Sequence, residues 1–114
     1  MDSILTSTKL LLGITGDYTP FDQQIIMHIN TAFMILAQLG VGSSTPFVVE
    51  SQEDTWDDFF SGFPMIETVK TYIYLRVRLL FDPPVNSSVL DSIKEQITEL
   101  EHRMVMFVET PPAQ

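Results

Sequence analysis

The densest group of side chains able to do chemistry is a run of carboxylates near the middle of the chain. Five acidic residues fall within nine positions, with no basic residue among them: Glu50, Glu53, Asp54, Asp57 and Asp58. Clustered carboxylates are typical of calcium loops, but this run lacks the ligand spacing and the central glycine of such a loop. We interpret it as a solvated acidic loop, or alternatively as a surface that repels a polyanion.

Other residues that support catalysis or metal binding are few. The chain has no cysteine, which excludes thiolate metal sites, cysteine nucleophiles and disulfides. His28 and His102 lie in different predicted helices, and neither has a carboxylate or a second histidine four positions later. The segment Gly40–Val41–Gly42 lacks the lysine and hydroxyl residue of a phosphate-binding loop. The sequence therefore predicts no enzyme, no metal site and no cofactor.

Charge restricts the partners further. The 114 residues include 15 acidic and 6 basic side chains, a net charge of −9, and the basic residues are scattered. Phosphate neutralisation needs clustered Lys and Arg, so we expect no specific nucleic-acid binding. The segment from Gln23 to Val49 is uncharged, but His28 and Asn30 interrupt its apolar centre. We predict a buried helix there and no membrane segment.

Hydrophobic periodicity predicts an all-α fold. We expect a small bundle of about four helices with a long C-terminal helix and an irregular acidic loop, in one domain over residues 1–109 followed by a tail over 110–114. The first helix should begin at Asp2 or Ser3 and end at Leu12. The inner face of this first helix is predicted to contain Ile4, Leu5, Thr8, Leu11 and Leu12.

The second helix is predicted to begin at Thr19–Pro20 and to end before Gly40. Threonine would cap it and proline would occupy its first helical position, where a missing N–H costs nothing. A separate single turn is expected from Thr55 to Phe60, because Thr55 and Asp58 have the spacing of a capping box.

Two longer helices complete the prediction. Residues 72–79 alternate with a period of two, as a strand does, but the uninterrupted length from Pro64 to Phe81 favours a helix. The last helix should run from Ser87 or Ser88 to Val108, with Ser88 and Asp91 as a second capping box. Its apolar residues follow an unbroken heptad spacing: Leu90, Ile93, Ile97, Leu100, Met104 and Phe107.

Two apolar groups do not fit simple amphipathic helices. Trp56, Phe59 and Phe60 interleave with the acidic run; we predict a small core under the loop, with a contact to a neighbouring subunit as the alternative. The end of the last helix is apolar on every side, whereas a helical core covers one stripe. We therefore predict that a partner protein covers this end, which consists of Met104, Val105, Met106, Phe107 and Val108.

The order of these segments resembles a known family. It comprises Asp17–Tyr18–Thr19, the sequence LAQLGVG at 36–42, Thr55–Trp56–Asp57–Asp58–Phe59, and a long segment from Val69 that stops at Asp82–Pro83–Pro84. This pattern resembles the head–tail connector (adaptor) proteins of long-tailed bacteriophages and related prophages. The resemblance extends from about Ile4 to Val108.

The resemblance implies a structural virion protein, made in the bacterial host cytoplasm and located at the neck of the virion. Family members form a ring, usually of twelve subunits, beneath the portal protein; the ring extends the DNA channel and receives a stopper or tail-completion protein. By the same resemblance, Met104 to Val108 would dock onto the portal and Glu50 to Asp58 would face the channel. The alternative is an acidic helical inhibitor or DNA mimic that binds a basic protein.

Overall fold

The computed structural model describes residues 3–42, 45–59 and 65–109. Their fold is all-α, as predicted, with five helices: α1 (Ile4–Leu11), α2 (Asp22–Gln38), α3 (Trp56–Phe59), α4 (Ile66–Phe81) and α5 (Ser87–Glu109). Within these ranges there is no strand, only an isolated antiparallel bridge between Ser3 and Thr55. None of the helices in the described ranges combines the length and apolar character needed to cross a membrane.

Helix α4 is the centre of the bundle and packs against α1, α2 and α5. Its buried residues lie on more than one face: Val69, Tyr72, Ile73, Leu75 and Val77. Burial on several faces explains why the sequence alternates with a period of two although the segment is a helix. The predicted choice of helix over strand is confirmed, while the predicted start at Pro64 lies outside the described residues.

The starts of two helices differ from the prediction. Helix α2 begins at Asp22, not at Thr19–Pro20, because the backbone angles of Phe21 are not helical. The Phe21 ring lies edge-on to that of Phe81, with 5.2 Å between the ring centroids. Helix α5 is capped by Asn86, whose Oδ1 accepts hydrogen bonds from the N–H groups of residues 88 and 89. The capping box predicted from Ser88 is therefore wrong, although the helix begins where expected.

The heptad seam of α5 is confirmed at its centre. Ile93, Ile97 and Met104 are buried, and Leu100 and Phe107 pack against the core. In α1 the predicted face is correct for Ile4, Leu5 and Thr8 but wrong for Leu11, which is 56% exposed. Lys9 is buried in its place.

Candidate functional site

The acidic loop is an ordered turn that its own carboxylates help to fold. The Asp54 carboxylate accepts hydrogen bonds from the backbone N–H groups of Glu50 (2.8 Å) and Ser51 (3.2 Å). The Ser51 hydroxyl in turn accepts one from the N–H of Glu53. Asp54 is therefore partly engaged in shaping the loop.

The predicted capping box at the start of α3 is confirmed. The Asp58 carboxylate accepts a hydrogen bond from the N–H of Thr55 at 2.9 Å, and the Thr55 hydroxyl accepts one from the N–H of Asp58 at 3.2 Å. Of the five carboxylates, two thus bind backbone groups, and the other three, Glu50, Glu53 and Asp57, are exposed. These three carboxylates form a small, solvent-exposed surface of negative charge on the loop.

The loop is attached firmly to the start of α1. The N–H of Ile4 donates to the carbonyl oxygen of Asp54 at 3.0 Å, and the Trp56 indole N–H donates to the Ser7 hydroxyl at 2.9 Å. The Lys70 ammonium lies 5.8 Å from the centroid of the Trp56 ring. These contacts hold the exposed carboxylates in one position relative to the bundle.

The aromatic residues beside the acidic run belong to the core of this chain. The Phe59 ring lies 4.9 Å from that of Phe33 and 5.9 Å from that of Phe47, and the Trp56 ring lies 6.3 Å from that of Phe33. Trp56 is 5% exposed and Phe59 is half-buried. The contacts of these two residues are those of the predicted small core under the loop. Phe60, the third residue of the predicted group, lies outside the described residues.

The end of α5 divides into a buried and an exposed side. Met104 is fully buried, and Val105 and Phe107 are half-buried. Met106 and Val108 are 49% and 38% exposed, so two apolar side chains of the predicted interface are accessible to solvent. Val108 also lies beside the end of α2, since a Cβ added at Gly40 would be 3.8 Å from its side chain.

Helices α4 and α5 are joined by a polar network that the sequence did not reveal. The Tyr72 hydroxyl donates to the Glu101 carboxylate at 2.6 Å, and the Arg76 guanidinium donates to the same carboxylate at 2.5 Å. Burial of the ring, together with the hydrogen bond to Glu101, raises the pKa of Tyr72 above its ordinary range. The network fixes the register between the two helices, because all three groups must meet at one point.

A second unpredicted contact binds the segment just before the acidic loop to α2. The Asn30 side chain donates to the carbonyl oxygen of Val49 at 3.0 Å and accepts from the N–H of Val49 at 2.7 Å. Val49 is 1% exposed, so the amide satisfies two backbone groups that water cannot reach. An asparagine within an uncharged apolar helix was the available sequence signal.

The two histidines form no site in the described part of the chain. His102 is exposed. His28 is half-buried, and its Nε2 finds no hydrogen-bond partner among the described residues. No group of three or more His, Asp or Glu side chains that could hold a metal ion occurs in the described ranges.

The sequence matches the model of one protein family over nearly its whole length. A family model described as phage connector protein matches residues 4–110. The chain belongs to the phage connector protein family. Membership in this family supports a structural role for the connector. Searches among curated proteins and among solved structures found no match.

Proposed function

We propose that this connector forms a ring beneath the portal protein at the neck of the virion, where the ring extends the DNA channel and joins head to tail. Membership in the connector family over residues 4–110 is the observation that carries the proposal. It favours this function over the alternative of an acidic inhibitor or DNA mimic. The resemblance to head–tail connectors implies a ring of about twelve subunits. The side of the ring away from the portal would bind a stopper or tail-completion protein.

The end of α5 is the proposed contact with the portal protein. Met106 and Val108 present apolar surface to solvent at the tip of a helix of 23 residues. Flexible, polarisable methionine adapts to an apolar partner surface, and burying two such side chains is favourable. Met104 contributes indirectly, since its burial in the bundle fixes the direction of this helix end.

The acidic loop is the proposed wall of the channel. Glu50, Glu53 and Asp57 are exposed on a loop that backbone hydrogen bonds hold in place. Repeated around a ring, these carboxylates would form a band of negative charge. Such a band gives the phosphate backbone no binding site, so DNA can slide through without being retained.

Localisation and complementation in the phage test the proposed function. A phage lacking this gene should produce filled or partly filled heads without attached tails, and antibody against the chain should label the neck of wild-type particles in electron micrographs. Normal tailed particles from the deletion strain, or labelling elsewhere in the virion, would contradict the proposal.

A matched pair of variants tests the portal contact. Met106→Asp together with Val108→Asp should abolish co-purification with the portal protein, because two charges would have to be buried against an apolar surface. Leu10→Asp together with Leu11→Asp, on α1 and 61% and 56% exposed in the wild type, adds the same two charges and should bind normally. Equal binding by both proteins would remove the α5 end from the portal contact.

Charge reversal tests the channel wall. Glu50→Lys with Glu53→Lys should slow DNA ejection from particles, and the effect should diminish at high salt because it depends on attraction to phosphate. Asp17→Lys with Glu95→Lys changes the same net charge at exposed sites outside the loop and serves as the control. Unchanged ejection in the loop variant would place the loop away from DNA.

A further inference from the structure

The outer face of α2 and the segment after it form an apolar groove that no established role explains. The groove has a volume of about 650 Å³, and Met27, Met34 and Val48 line it with exposed fractions of 59%, 50% and 57%. Its remaining lining residues are uncharged. The hydrogen bonds between Asn30 and Val49 hold the two walls together, so the groove exists before any partner binds.

A protruding apolar side chain lies elsewhere on the same molecule. Val85, in the turn between α4 and α5, is fully exposed and follows two prolines that restrict the backbone. Val89, in the first turn of α5, is 43% exposed. We call Val85 and Val89 the turn knob.

Charge indicates what can occupy the groove. The chain carries a net charge of −9, so two copies repel each other and can approach closely only where carboxylates are absent. The groove lies within the uncharged segment from Gln23 to Val49, and residues 83–90 of the turn are also uncharged. A second copy of this chain can therefore bring its turn knob to the groove without placing a carboxylate of either contact segment in the interface.

We propose that the groove receives the turn knob of the adjacent copy, with Val85 seated between Met27, Met34 and Val48. The proposal rests on the ring proposed above and identifies the contact between its subunits. The groove on α2 and the turn that leads into α5 are separate surfaces, formed by different residues of the chain. Contact between two different faces of identical subunits repeats from copy to copy, and it closes into a ring where the rotation allows.

Site-specific cross-linking tests the contact directly, because the chain has no cysteine. Met34→Cys with Val85→Cys, treated with a short bismaleimide in concentrated protein and in particles, should give a ladder of covalent oligomers larger than dimers. Leu10→Cys with Val85→Cys is the control pair and should give no ladder. A ladder no stronger for the Met34 pair than for the control would overturn the proposal, as would cross-linking of Met34→Cys alone to the portal or a tail protein.

Charge substitutions provide an independent measurement. Val85→Asp alone and Met34→Lys alone should each reduce self-association at least tenfold in analytical ultracentrifugation, and the double variant should regain most of it through the new opposite charges. Val85 is fully exposed, so its substitution should leave the helical circular dichroism unchanged. Wild-type self-association should increase with salt, which screens repulsion between the acidic copies; a decrease would indicate an ion-pair interface and contradict the proposal.

Different results would contradict the proposed connector function and the proposed subunit contact. Neck labelling with no Met34–Val85 cross-links in particles would leave the connector function intact and discard this subunit contact. A cross-linked ladder from a protein absent from the neck would keep the contact and discard the virion function.

Discussion

The buried ion pair between Lys9 in α1 and Asp22 in α2 tests how burial affects the contribution of an ion pair to the free energy of unfolding. The Lys9 ammonium lies 2.7 Å from the Asp22 carboxylate and donates to the carbonyl oxygen of Gly16 at 3.1 Å. The Lys9 side chain is 2% exposed and that of Asp22 is 20% exposed. Asp22→Asn therefore leaves an ammonium in the core with only neutral oxygens nearby.

The cost follows from this asymmetric burial. Removing one partner of a buried ion pair costs about 3–5 kcal/mol, and Asp22→Asn should lie in that range because Lys9 cannot reach water. Lys9→Met should cost less, about 1–3 kcal/mol, since water still solvates part of the Asp22 carboxylate. The loss of unfolding free energy in the double variant should be smaller than the sum of the two single losses by about 2 kcal/mol, because neither charge then remains.

Urea denaturation at neutral pH measures these differences, with the Glu99–Arg103 pair as the matched control. That pair has a similar separation, 2.6 Å, but its side chains are 60% and 64% exposed. Glu99→Gln should therefore cost less than about 1 kcal/mol. Asp22→Asn should also lower Tm by roughly 12 °C or more, at about 4 °C per kcal/mol for a domain of this size. If Asp22→Asn and Glu99→Gln lower the free energy of unfolding by the same amount, burial does not determine how much an ion pair contributes to stability, and that result refutes the argument.

Three further variants test other contacts by urea denaturation. Tyr72→Phe should cost about 1–3 kcal/mol at pH 8, because it removes one of the two donors to the Glu101 carboxylate and leaves only the Arg76 guanidinium. Folding raises the pKa of Tyr72, so this contribution is complete below about pH 10, the unfolded value, and the difference from wild type should shrink as pH rises beyond it. A difference that grows above pH 10 would reverse this sign. Gly42→Ala should cost more than Gly13→Ala, since both have φ above +80° but only the Cβ at Gly42 would meet a ring atom, at 2.8 Å; equal losses would mean that the ring moves aside freely. Asn30→Ala should cost about 2 kcal/mol or more by leaving two buried backbone groups unpaired, and a loss below about 0.5 kcal/mol would show that water replaces the amide.

The three long helices could be predicted because their signals are local. Helix α2 ends before Gly40 and α4 ends before Pro83, as expected, since φ restrictions act within one or two residues. The heptad spacing of α5 located Ile93, Ile97 and Met104 correctly at the buried face, because a helix repeats every 3.6 residues whatever it packs against. The acidic loop was also evident from the sequence, as a density of charge incompatible with a core.

Contacts between distant segments were decided only by the tertiary structure. Helix periodicity assigned Leu11 to the interior, but α1 is short and its inward direction depends on α2 and α4, which place Lys9 inside opposite Asp22. Likewise, no local pattern shows that Asn30 satisfies the backbone of residue 49, or that Phe21 packs against Phe81. Local spacing determines which residues share a helix face. The contribution of a buried charge or amide to stability depends instead on the groups that folding places opposite it.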